Sequence, residues 1–196
     1  MYQKGDYVVY GTKGVCLVED VMAIDWGADC ISSEKLCYKL SPRFVKGSTI
    51  YAPVENEKTV IRSVMSGEEA QALLNRAGGL ETLWIKDEKE REMSYRRALL
   101  SGSSTEWSRI IKTLYLRKRE RQKSGKHMTC IDERYLHIAE SILFGEMSLP
   151  LHLTVKEVEE EYFRKVNEEI GDCETGLVFD VQKRQTPDFV GDKQEK

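Results

Sequence analysis

The chain has 196 residues, 40% of them hydrophobic and 32% charged, with a formal net charge of −3. That composition describes a globular chain with a highly charged surface, long enough for one ordinary domain or two small ones. No apolar run approaches the roughly 20 residues that a membrane span requires, and Met1-Tyr2-Gln3-Lys4-Gly5-Asp6 lacks the apolar stretch of an export signal, so a cytoplasmic location is expected.

The first 66 residues read as short strands. Tyr7–Tyr10 and Val15–Val18 flank the glycine-bounded turn Gly11-Thr12-Lys13-Gly14, a hairpin pattern. Asp25-Trp26-Gly27-Ala28 is a second turn. Cys37–Leu40 is a third strand, broken by Ser41-Pro42. Thr49–Ala52, ended by Pro53, and Val60–Val64 complete a set of five. Five short strands in so little chain predict a small, strongly bent barrel with an edge open for pairing.

The period then changes from two to 3.6, and Ser63–Gly67 is the expected joint. Ser66 and Glu69 have capping-box spacing, opening a helix that stops at Gly78-Gly79. A second helix is predicted within 85–100. Ser103 and Glu106 repeat the capping pattern ahead of a stripe of Trp107, Ile110, Ile111, Leu114 and Tyr115. Thr129 or Asp132 caps a fourth helix that turns Ile131, Tyr135, Ile138, Ile142 and Leu143 inward, with Gly145 near its end. Thr154 and Glu157 open a fifth, with Val155, Val158, Tyr162 and Val166 on one face. From Gly171 no period persists, and a mobile acidic tail is expected. The fold class is therefore α+β with two domains: a small β-barrel over 1–66, a compact all-α domain of about five helices over 67–170, and a tail over 171–196.

The small net charge hides a segregation. Residues 1–66 carry eight basic and eight acidic side chains, residues 67–153 fifteen and thirteen, and residues 154–196 seven and twelve. Within the middle third, Arg109–Lys126 holds eight basic residues against the single acid Glu120. Such clustering, rather than net charge, sets the field at a phosphate backbone. The run has two readings, a solvated helix end favoured by the helix dipole or a phosphate-contacting patch.

The sequence carries no enzyme constellation. It has no phosphate-cradling glycine loop, no Gly-x-Ser-x-Gly elbow, and scattered histidines at 127, 137 and 152. His137 reads as a structural side chain near the apolar face of its helix. The five cysteines, Cys16, Cys30, Cys37, Cys130 and Cys173, include no Cys-x-x-Cys pair, so free thiols are expected rather than a metal site. No cofactor and no small-molecule substrate is expected. Trp84 and Ile85 stand out because they precede the charged run Lys86-Asp87-Glu88-Lys89-Glu90-Arg91. Either Trp84 packs inward between helices, the commoner fate of a Trp, or it is an exposed wedge flanked by Lys86, Lys89 and Arg91, the arrangement that kinks DNA from the minor groove.

Lys4-Gly5-Asp6-Tyr7-Val8-Val9-Tyr10 and Gly14-Val15, followed by Tyr51-Ala52-Pro53, Trp84, Ile110–Tyr115 and the run from Tyr135-Leu136 through Ala139-Glu140 to Ile142-Leu143, resemble the CarD/CdnL family of bacterial transcription regulators. Their opening module is shared with the transcription-repair coupling factor. The resemblance spans roughly residues 1–166. It implies a Tudor-like (SH3-like) barrel that binds the β subunit of bacterial RNA polymerase. It also implies a helical domain that touches promoter DNA, largely without regard to sequence, at the upstream edge of the transcription bubble. Trp84 matches the family's minor-groove wedge, and Lys86 and Lys89 match its backbone-contacting neighbours. Arg91 and Arg134 are added as basic neighbours; at the family's basic position early in the fourth helix this chain has Glu133. The polymerase surface implied covers Met22–Asp25 and Lys46–Tyr51, with Ile24, Ile50, Tyr51 and Pro53 as contacts. This chain departs from several members in having Ile24 and Tyr51 where they carry Arg, and Lys13 where His is frequent. The alternative is a protein–protein interaction module or scaffold without DNA binding.

Overall fold

A computed structural model describes residues 1–25, 34–45, 47–55 and 59–171. The turn residues 26–28, Lys46, Cys30, Cys173 and the tail from 172 onward lie outside the described residues. Five strands come first: β1 (Tyr7–Tyr10), β2 (Val15–Asp25), β3 (Glu34–Pro42), β4 (Ile50–Pro53) and β5 (Ile61–Ser63). Five helices follow: α1 (Gly67–Arg76), α2 (Glu88–Leu100), α3 (Ser104–Lys123), α4 (Cys130–Ser148) and α5 (Val155–Ile170).

The strands form one antiparallel sheet in the order β4-β3-β2-β1-β5. Among the described residues β4 and β5 are the two edges of the sheet and do not pair, so an edge is open as expected and the strands do not close into a complete barrel. β2 and β3 also run well past Val15–Val18 and Cys37–Leu40. Their far ends are largely exposed, so the period-two alternation that marks a strand is missing from the sequence there. A register shift between Val18 and Asp20 bends the long hairpin.

Pairing register explains how so small a sheet is stabilised. On one face Val8, Cys16, Val18, Tyr38, Leu40 and Ala52 make a small core of their own. On the other, the paired Val9 and Val15 enter the main helical core beside Leu73, Trp107, Ile110, Leu143 and Tyr162. The sheet is thus apolar on both faces where it meets the helices. At Gly145 in α4 an added Cβ would lie 2.7 Å from the ring of Phe44, so only glycine admits that approach.

Local chemistry starts each helix where the sequence places it. Ser66 and Glu69 form a reciprocal capping box, as do Thr154 and Glu157. Asp87 and Thr129 each accept the first-turn amide three residues on. At α3 the box is only half made. Ser103 accepts from the Glu106 amide, but the Glu106 carboxylate pairs with Arg109 at 2.9 Å.

A buried ion pair joins sheet to helices. The Glu146 side chain in α4 is fully buried, and Arg62 from β5 meets it with two nitrogens at 2.5 and 2.7 Å. The Met65 amide and the Ser104 hydroxyl donate to the same carboxylate. Arg62 Nε donates to the Gly102 carbonyl at 2.7 Å, and the guanidinium lies 5.1 Å from the Trp107 ring centroid. Every oxygen of the carboxylate therefore has a donor, which is what makes such a burial tolerable. Glu146→Ala strands Arg62 beside a void and is expected to lower the unfolding free energy by roughly 3–5 kcal/mol, the usual effect of removing one partner of a buried pair. Urea denaturation checks this, and a loss below about 1 kcal/mol would show that the sheet does not depend on the pair.

Candidate nucleic-acid interface

The segment between α1 and α2 carries Trp84, and α3 holds that segment down. The Lys112 ammonium donates to the carbonyls of Gly78 and, at 2.7 Å, of Leu80. Arg109 donates to the Glu81 carbonyl at 3.2 Å. The Leu83 amide donates to the Thr113 hydroxyl at 2.8 Å, and that hydroxyl donates back to the Arg109 carbonyl. Burial pushes the Lys112 pKa below the usual lysine range. Gly78 lies so close to α5 that an added Cβ would sit 2.5 Å from Glu169 Cβ. Leu80 and Leu83 pack against the core. Trp84 is the next residue, and it is 45% exposed.

One turn beyond Thr113 on α3, Arg117 lies over the Trp84 ring with its guanidinium carbon 5.3 Å from the centroid. Asp132, in the first turn of α4, is fully buried and faces two arginines. Arg91 Nε lies 3.3 Å from Oδ1 and Arg117 Nε lies 3.6 Å from Oδ2. Lys86 and Lys89 are exposed beside the Trp, interleaved with Asp87, Glu88 and Glu90.

A second surface lies on the sheet. β4 pairs only with β3 among the described residues, so its outer edge is unpaired. Register places Tyr51 opposite Lys39, and Pro53 opposite Cys37, which pairs with Met22 on its other side. Ile24 pairs with Lys35 on the same face. Three of the four expected partner contacts, Ile24, Tyr51 and Pro53, thus share one face, with Met22 and Tyr51 among its exposed apolar side chains. Ile50 pairs with Leu40 and turns to the small core on the opposite face.

Residues 2–65 match the family model described as the CarD-like/TRCF RID domain. These residues form a CarD-like/TRCF RID domain. A search of curated proteins finds no match. The domain match ends at Met65, one residue before the cap of α1, so it covers the CarD-like sheet and leaves Trp84 and the helices outside.

Of the expected DNA contacts, Trp84, Lys86 and Lys89 are all exposed. Arg91 is a correction. It is only 5% exposed and its charge is taken up by Asp132, so it braces the site from inside rather than meeting a phosphate. It sits at the i+4 position after Asp87, on the face of α2 that packs inward beside Tyr95. Arg134 is exposed but paired with Glu92 at 3.0 Å, over the Tyr135 ring. With Lys89, Met93, Arg96 and Leu100 it lines an open groove of about 600 Å³. His137 is exposed rather than structural. Cys16 and Cys37 are buried free thiols and Cys130 is exposed. Burial pushes the Cys16 pKa up to about 11, so that thiol stays protonated and unreactive at neutral pH. Sequence reasoning missed the clamp made by Arg109, Lys112 and Thr113; the polar Lys112-Thr113 pair inside an apolar helical stripe is the signal that points to it.

Thr113→Val removes the acceptor of the Leu83 amide while keeping side-chain shape. Native-state hydrogen exchange at Leu83 should speed up by the factor that a lost buried hydrogen bond implies, roughly 1–3 kcal/mol, with amides of α4 unchanged. An unaltered Leu83 rate would mean that Thr113 does not hold the Trp84 segment.

Proposed function

We propose that this protein is a transcription regulator that binds bacterial RNA polymerase through its CarD-like sheet and stabilises the open promoter complex through Trp84. The observation that carries the reading is Trp84 itself. An indole is the side chain with most to gain from burial, yet here it is 45% exposed, while three α3 side chains tie down the segment that precedes it. Protruding apolar side chains flanked by basic ones unstack or kink DNA from the minor groove. Lys86 and Lys89 are suited to phosphates, which set position without reading sequence.

The β4 edge is the polymerase surface in this reading. Its unpaired amides and carbonyls can extend the sheet onto a strand of the β subunit, with Tyr51, Pro53, Met22 and Ile24 giving the side-chain contact. Edge pairing explains how the chain tolerates Ile24 and Tyr51 at positions where other members carry Arg, because backbone hydrogen bonds do not depend on side-chain identity.

The mechanism is differential binding. The protein shifts the closed-to-open equilibrium only by the amount that it binds the open state better. One wedged aromatic contributes about 1–3 kcal/mol on the scale of base–aromatic stacking, a shift of roughly 5–150-fold. The protein needs no cofactor and no small-molecule substrate for this.

The test uses the full chain, because residues 1–66 alone would expose Val9 and Val15 and leave Arg62 unpaired. Trp84→Ala should co-purify with RNA polymerase as the parent does and lose most of its effect on a fluorescent reporter of the promoter bubble. Tyr51→Asp should lose polymerase retention. Full bubble stabilisation by Trp84→Ala would end the wedge reading, and salt-independent binding to a protein other than polymerase would favour a scaffold.

A further inference from the structure

We propose that Arg117 is a positioning residue for Trp84, acting on DNA through the indole and making no phosphate contact of its own. The inference rests on the reading that Trp84 meets DNA. Arg117 opens the densest basic stretch of the sequence, Arg117-Lys118-Arg119, and by charge alone belongs with the phosphate-binding residues. Its surroundings say otherwise. Its side chain is only 14% exposed, and it stands between two partners, the Trp84 ring at 5.3 Å and the Asp132 carboxylate at 3.6 Å.

Neither partner is fully satisfied. Arg117 Nε and Asp132 Oδ2 are both buried and both lack a hydrogen bond. A free choice of rotamer would close that gap, because an unmade charged hydrogen bond is unfavourable. Asp132 cannot move toward Arg117, since its other oxygen is engaged by Arg91 on α2. Arg117 is therefore held as a compromise, its charge tethered by Asp132 and its plane kept at the indole.

The arrangement gives Trp84 one face backed by Arg117 while the residue stays 45% exposed. An exposed Trp without such backing samples several rotamers and must lose them on inserting between bases, at roughly 0.5–1.5 kcal/mol for an immobilised side chain. Arg117 removes that loss in advance. A cation committed to Asp132 and the indole also releases no counterion when DNA binds, so it contributes nothing to the salt dependence of binding.

Salt-slope and promoter-opening measurements on the full-length protein with polymerase and promoter DNA, and fluorine NMR on the protein alone, decide the matter. Lys86→Ala should lower the slope of log affinity against log salt by about one. Arg117→Met should leave that slope at the parent value and reduce bubble stabilisation to the level of Trp84→Ala. The double variant Trp84→Ala/Arg117→Met should be no worse than Trp84→Ala alone, since the two act as one unit. Fluorine NMR of fluorotryptophan-labelled protein without DNA should show the Trp84 resonance, assigned by its absence in Trp84→Ala, shifted in Arg117→Met. Arg117→Lys keeps a charge for Asp132 and loses the planar stack. If Arg117→Met unfolds, this variant decides, and it should keep the fold and lose bubble stabilisation. A slope lowered by about one in Arg117→Met would make Arg117 a phosphate contact and overturn the proposal. Parent-level opening by Arg117→Met or Arg117→Lys would overturn it too. If Trp84→Ala itself opens promoters like the parent, the functional reading falls; if only the Arg117 variants do, the positioning role alone falls.

Discussion

A carboxylate taken out of water must be met by charge and donors on every side, and in this chain one such carboxylate organises the whole molecule. Glu146 sits in the last turn of α4, and the arginine that meets it comes from the last strand of the sheet. Satisfying it brings β5, the Met65 amide and the start of α3 to one point. A sheet this small buries little apolar surface by itself. Once Arg62 is anchored, Val9 and Val15 share the helical core, and the sheet needs only a modest core of its own on the far side.

The same device appears at the other end of α4. Asp132 is buried within a turn of the helix start and draws in Arg91 from α2 and Arg117 from α3. Two cations against one anion leave a net positive charge under the surface, and the indole of Trp84 takes part of it through its ring face. Trp107, which also lies under an arginine, is fully buried and donates its indole N–H to the Leu99 carbonyl. Two tryptophans in similar cationic company thus have opposite fates. The difference lies in the segment that carries each. Trp107 is on the inward stripe of α3, whereas Trp84 follows a stretch whose carbonyls and amides are tied down along that helix.

What was legible in the sequence is what depends on near neighbours. The Ser66/Glu69 and Thr154/Glu157 boxes are read at a separation of three residues and form as read. The helical stripe of Trp107, Ile110, Ile111 and Leu114 is fully buried. The strand set is right in number but short in extent, because the outer reaches of β2 and β3 have no buried face to impose alternation. Exposure was legible at Trp84, Lys86 and Lys89, and burial was illegible at Arg91, where 41 residues separate the cation from its carboxylate. Only its place on the helix face of Tyr95 sets Arg91 apart locally from Lys89. Only the packing of α4 against α2 turns one inward and leaves the other in water. A closed barrel was unreadable for a related reason: closure depends on whether two edge strands meet, which no local pattern encodes.

The rigidity that Arg62 and Glu146 confer bears on how two distant surfaces act together. Under the proposed function, the β4 edge holds polymerase while Trp84 meets DNA, and neither contact need be strong alone. Joining two contacts in one body turns the second into an intramolecular event, whose effective concentration depends on how well the fixed geometry matches the span between the sites. A flexible joint would spread Trp84 over a large volume and dilute it. A shared core confines it to one place, and then the indole's own orientation becomes the remaining freedom to remove. Sequence-independent contacts are sufficient in such a device, because polymerase decides where on the genome the protein stands and the wedge has only to distinguish an opened duplex from a closed one.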